Sequence, residues 1–262
     1  MKIAALYFYP IKSCAGIAVA HAEVTRRGLR HDRRWMVVDD NGRFLTQRTL
    51  PRMALVRTAI AGSALALDAP GVSSLTLPFS FDEGPEIEVE VWKHRGPAVR
   101  HDAGSAWFTQ ALERPAQLVC MPDRIVRPVQ SVTAEPGDEV SFADGFPLLL
   151  VNQGSLAALN EGSNLRTDVR RFRPNLVVEG PPAWAEDEWR RLRAGGLTLR
   201  LPKPCARCSI PGIDPDSAEM TREPLRTLAK LRTRDHEVFF GVNVTPDDVG
   251  ELRVGDVLEV LE

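Results

Sequence analysis

Two cysteines stand close together at Cys205 and Cys208, with Ala206 and Arg207 between them. Prolines frame the pair at Pro202, Pro204, Pro211 and Pro215. Proline fixes φ and brings no backbone donor, so Pro204–Asp216 reads as an irregular, rigid loop that presents thiols. Four chemistries are compatible with it. Structural zinc takes four protein ligands, commonly two Cys-x-x-Cys pairs or one pair with two histidines. Here there is one pair, and the nearest histidine, His236, lies well downstream. A thioredoxin-type dithiol starts a helix at its first cysteine, whereas Pro211, Gly212 and Pro215 oppose a helix. Packed cysteines without a chemical role are a third reading. The fourth is a single thiolate, acting as nucleophile or as ligand to a thiophilic metal, with Arg207 beside Cys208 favouring the charged form.

The elements that must position this loop are short. The 262 residues include 20 prolines and 19 glycines, which predicts many turns and no long helices. Strands are expected at residues 3–9 and 18–25, and at 35–39 with 44–48 as its hairpin partner across Asp40-Asn41-Gly42. Others are expected near 55–60, 64–68, 74–78 and 86–93. A helix is expected at Ser105–Leu112, capped by Ser105. Met121–Asp138, rich in Pro, Arg, Ser and Glu, reads as a linker. Beyond it, Val140–Val151 reads as a turn and a buried strand, and further strands are expected at 176–179, 197–201, 238–244 and 254–261, with short helices at Asn152–Asn160, Trp184–Leu192 and Glu223–Leu231. The fold class is mainly β with a few short helices, in two domains, 1–121 and 122–262.

Charge and composition exclude several classes. A formal net charge of -2 gives no basic field for nucleic acid. No apolar run reaches the roughly 20 residues that cross a membrane as a helix. Four cysteines without a secretory signal argue against a disulfide framework and for the cytoplasm. Cations nevertheless recur at the strand ends, at Lys12, Arg30, Arg33 and Arg34 and again at Arg166, Arg170, Arg171 and Arg173. With a hydroxyl such as Ser13, such groups bind phosphate or another oxyanion, although most surface lysines and arginines are simply solvated. One bulky anionic cofactor, gripped from both halves and bound by a cysteine of the loop, would account for all of them.

Several stretches, in order along nearly the whole chain, resemble the MOSC family (the molybdenum cofactor sulfurase C-terminal domain, with its N-terminal β-barrel domain) and within it the amidoxime-reducing branch. They are Tyr9–Gly16, Asp32-Arg33-Arg34-Trp35, Thr46-Gln47-Arg48, Phe172-Arg173-Pro174-Asn175, Cys205-Ala206-Arg207-Cys208 with Asp214-Pro215-Asp216, Phe240-Gly241-Val242-Asn243, and Val254-Gly255-Asp256. The resemblance implies two barrel-like domains and a molybdenum–pterin cofactor. It implies Cys208 as the thiolate ligand to molybdenum and catalytic centre, with Cys205 a bystander. Lys12, Ser13 and Arg33 would hold the cofactor from the first half. Asp144, Gly145, Arg173, Ala206, Arg207 and Asn243 would hold it from the second. The implied reaction is reduction of N-hydroxylated compounds to the parent base. Since no iron–sulfur domain or membrane anchor is visible in the sequence, electrons are expected from a separate protein. The alternative is a sulfur carrier or cofactor-delivery protein that uses Cys208 without redox turnover.

Overall fold

The computed structural model describes residues 1–262 and is built mostly of strands, with α-helices at Asp102–Leu112, Gln153–Glu161 and Leu225–Arg232. The largest sheet has a path of eight strands running from Leu258–Val260 through Arg191–Ala194, Leu197–Ala206, Glu237–Pro246, Leu148–Asn152, Leu176–Glu179 and Lys2–Phe8 to Ile17–Val19. The first strand of the chain is thus hydrogen-bonded into the sheet of the second half. His21–Thr25 likewise pairs with Gly250–Arg253. Strand pairing closes none of the sheets into the expected barrel. The large sheet instead curls until its ends meet at an irregular seam, where Ile3 N donates to Asp256 O (2.9 Å) and Leu258 N to Met1 O (3.0 Å). Inside the curl lies an apolar core that draws Ile3, Leu6, Phe8, Val24 and Leu29 from the first half onto Leu150, Leu199 and Val244 of the second. A second core, around Trp35, Met53, Leu65 and Phe108, fills the first half.

Three local expectations are corrected. The helix of the first half begins at Asp102, and its cap is His101, whose side chain accepts from Gly104 N. Ser105 lies inside the helix, donating to His101 O and accepting from Leu118 N. The return strand at 44–48 shrinks to a single bridge, Val38 to Phe44, because Leu50 N bonds back to Thr46 O and the chain turns away. The region 184–192 holds one 3-10 turn, Ala185–Asp187, before the strand Arg191–Ala194. Strands at His94–His101 and Gln117–Cys120 complete the first half.

The cysteine loop also differs from expectation. Its strand does not stop at Leu201 but runs through Pro202 and Pro204 to Ala206. Proline cannot donate to the ladder, and the register with Glu237–Pro246 shifts at both places, between Arg200 and Lys203 and between Pro204 and Ala206. The prolines therefore bulge a strand where a loop was expected. Gly241, at φ 73°, is part of the same accommodation: a Cβ there would lie 2.6 Å from Leu150 O.

Candidate active site

Register assembles the site. Lys203 faces Asn243, Asn243 faces Leu149, and Asn175 N donates to Leu149 O at 2.8 Å. These four residues form a row across four neighbouring strands, and all of them line one cavity of about 300 Å³. Antiparallel pairing of Lys2–Phe8 with Leu176–Glu179 brings the turn after the first strand beside the turn before the second. Lys12 and Ser13 therefore meet Arg173. The parallel pair Leu148–Asn152 and Leu176–Glu179, joined through the helix Gln153–Glu161, adds Asp144 and Gly145 at the same end. All ten expected residues, Lys12, Ser13, Arg33, Asp144, Gly145, Arg173, Ala206, Arg207, Cys208 and Asn243, line this cavity.

Four of its five cations are engaged by the protein itself. Arg33 donates from Nη1 to Asp32 (2.6 Å) and Asn175 Oδ1 (3.0 Å), and from Nη2 to Arg173 O (3.2 Å). Arg173 donates from Nη1 to Cys14 O at 2.7 Å, while its buried Nη2 has no acceptor in the protein. Both guanidiniums lie 4.3 Å from the Tyr9 ring centre. Ser13, Arg33 and Arg173 all adopt positive φ (66°, 47° and 57°), backbone strain concentrated where the two halves meet. Burial pushes the Arg173 guanidinium down to about 10, with the Arg33 charge adding to the effect. Lys12 Nζ donates to Phe142 O (2.8 Å) and pairs with Asp144. Burial lowers its ammonium to about 8, against the pull of Asp144. Asp144 is pulled the other way: desolvation would raise its carboxyl, but Lys12 and Arg48 hold it well below the usual carboxylate range.

The cysteines part ways. Arg207 does not face Cys208 as its place in sequence suggested. Its Nη1 donates to Cys205 Sγ at 3.2 Å and its Nη2 to Phe172 O at 2.9 Å. Cys205 packs against the apolar cluster of Phe172 and Phe240. The cation beside Cys208 comes from the other half of the chain. Arg48 donates to Asp144 Oδ2 at 2.8 Å, lies 4.6 Å from the Trp92 ring centre, and is near enough to the Cys208 sulfur for the two to interact electrostatically. Burial alone would lower the Arg48 pKa; Asp144 and Cys208 raise it instead. Cys14 and Cys120 are buried, and burial pushes their thiols up to about 12 and about 11, which leaves them unreactive. No group of three or more His, Cys, Asp and Glu side chains converges to hold a metal without further ligands.

Other cations turn elsewhere. Arg30 pairs with Glu23, and Arg34 with Asp123 and Met121 O, outside the cavity. Arg171 donates to Asp214 Oδ2 (2.6 Å) and Pro211 O, while Arg170 and Arg57 both hold Asp216. These arginines fasten the segment that follows Cys208. Asn243 spends its amide on the carbonyls of Lys203 and Pro204. Arg48, Asp32, Asn175 and Lys203 were not among the expected site residues. The first three lie in the patterned stretches, yet the contacts Asp32–Tyr9, Arg48–Asp144 and Asn175–Asp32 span 23, 96 and 143 residues.

The donors present fit an anionic group bound through a thiolate: the cations Lys12, Arg33, Arg173 and Arg207, one lining carboxylate, an orphaned guanidinium nitrogen on Arg173, and open space around Gly145. Comparison with known proteins agrees in kind. Residues 1–115 match the MOSC N-terminal beta barrel domain, and residues 137–259 match the MOSC domain. The mitochondrial amidoxime-reducing component 1 of Homo sapiens is 33% identical over 99% of this chain and 82% of its own length.

The chain belongs to the MOSC family.

The mitochondrial amidoxime reducing component 2 of Rattus norvegicus is 32% identical, over 97% of this chain and 81% of its own. A molybdenum cofactor sulfurase of Oryza sativa is 30% identical over 96% of this chain, which spans 33% of that longer protein. No helix of this MOSC protein is long and apolar enough to cross a membrane.

Proposed function

We propose that this cavity holds a molybdenum–pterin cofactor and that the protein is a cytoplasmic reductase of N-hydroxylated compounds, supplied with electrons by a separate protein. The observation that carries the reading is convergence. Ten residues spread from Lys12 to Asn243 line one cavity, with the half-buried thiol of Cys208 on its wall. When bound, the cofactor would supply the two-electron chemistry and an open coordination position.

Each residue of the chain has a task around it. Arg33 and Arg173, locked by Asp32, Asn175 and Cys14 O, present fixed charge to the cofactor's anionic end. Gly145 leaves room for backbone approach. Lys12 and Arg48 share Asp144, which fixes Lys12 at the cavity and holds Arg48 on the side of Cys208. The overall reaction breaks the substrate N–O bond. The nitrogen keeps its carbon substituent and gains hydrogen, and the oxygen leaves as water with two electrons from the donor protein and two protons from solvent.

The test is turnover with an artificial electron donor. Protein produced in a cofactor-competent host oxidises a reduced viologen dye when benzamidoxime is added, and benzamidine accumulates one for one with the amidoxime consumed. Cofactor-loaded protein that leaves the dye reduced would refute the reductase reading and favour the carrier that delivers cofactor or sulfur.

A further inference from the structure

Five cations line the cavity, and the protein itself engages four of them. Lys12 is bonded to Asp144 and Phe142 O, Arg33 to Asp32 and Asn175, Arg173 to Cys14 O, and Arg207 to Phe172 O and Cys205. Lys203 is different. It is exposed on the cysteine strand, and its ammonium forms no ion pair and no hydrogen bond within the protein. It is not adrift, however. Its backbone is fixed by pairing with Asn243, and its Nζ lies 5.7 Å from the ring centre of the buried Phe146. The only acid lining the cavity, Asp144, is committed to Lys12 and Arg48. A rigidly based, exposed cation with no internal partner therefore stands on the wall of the cavity.

We propose that Lys203 reads an oxyanion on the substrate, so that the N-hydroxylated compounds taken by this site carry a carboxylate or phosphate group. The inference rests on the reductase reading for the identity of the substrate. It does not rest on it for recognition of the anion. Lys203 makes its contact through charge at the wetted end of the cavity, so it acts on binding and leaves the N–O bond-breaking step alone. An ion pair in such a place is weak and weakens further with salt.

The experiment compares benzamidoxime with 4-carboxybenzamidoxime on cofactor-loaded protein, native and Lys203→Gln. Steady-state turnover is measured with reduced dye, binding of the matching amidines by calorimetry, and molybdenum and pterin content on both proteins. Expected is a kcat/KM advantage for the carboxylated compound of about 1.4- to fivefold. It should arise in KM, fade in high salt and vanish in Lys203→Gln, with the neutral compound unaffected. 4-Carboxybenzamidine should bind the native protein more tightly than the variant by the same factor. Equal binding of both amidines to both proteins would overturn the proposal. So would loss of molybdenum and pterin in Lys203→Gln, since that would put Lys203 on the cofactor. Failure of turnover with the binding preference intact would sink the reductase reading and leave anion recognition by Lys203 standing.

Discussion

Replacing Asp32 by asparagine removes one charge from the hub that aims Arg33 into the cavity. Asp32 is 1% exposed and accepts from Tyr9 N at 2.8 Å, Arg33 Nη1 at 2.6 Å and Asn175 Nδ2 at 3.1 Å. The asparagine oxygen can still serve Tyr9 N, but Arg33, its side chain 12% exposed, faces no anion. Breaking a buried pair from one side costs about 3–5 kcal/mol. Arg33 keeps Asn175 Oδ1 and Arg173 O as acceptors, so the lower end, about 3 kcal/mol, is expected. In a chain of this size that lowers Tm by roughly 6–12 °C. The assay is urea unfolding of Asp32→Asn, Arg33→Met and the double variant. Removing the stranded charge should recover part of the loss, so the double variant should cost less than the sum by at least about 1 kcal/mol. A single-variant loss below about 1 kcal/mol, or strict additivity, would refute the hub as the device that holds Arg33.

Three further outcomes are expected. Arg171→Leu removes the buried anchor of Pro211 and Asp214, so Cys208 should be alkylated by iodoacetamide several-fold faster while Cys14 stays protected; an unchanged Cys208 rate would show that the segment is fastened by other means. Gly241→Ala should cost about 1–3 kcal/mol in urea unfolding, since it combines a positive φ with a Cβ contact on Leu150 O, and a neutral result would contradict the close approach of those strands. The Lys12 ammonium is lowered to about 8, so its charge is present below that pH and lost as pH rises through it. Phosphate binding to the cofactor-free cavity should therefore weaken from about pH 7 to about pH 9, and bound phosphate should in turn raise the Lys12 pKa. An affinity that is flat across that range would mean Lys12 does not face the anion.

Much of this site could be read from the chain because its residues sit in short patterned stretches at strand ends. Arg33 and Arg173 are examples, and both prove to line the cavity. What escaped reading depends on pairings between distant segments. Arg207 stands next to Cys208 in sequence, yet the strand's end turns its guanidinium onto Cys205. Arg48 reaches Cys208 from 160 residues away, because Asp144 and Trp92 hold it there. Lys203 belongs to no patterned stretch, and only register places it opposite Asn243. The prolines were legible as breakers, but the ladder absorbed them as bulges, since pairing with Glu237–Pro246 holds the strand before and after them. The seam between residues 1–3 and 255–258 has no pattern of its own and follows from the curl of the sheet.

Cys208 is the proposed thiolate ligand, and its replacement is the most direct test. Molybdenum and pterin are to be quantified in protein from a cofactor-competent host, native, Cys208→Ser and Cys205→Ser. Near-stoichiometric molybdenum in the native protein and in Cys205→Ser, with loss in Cys208→Ser, is the predicted result. Equal loss in both variants, or zinc in place of molybdenum, would contradict it.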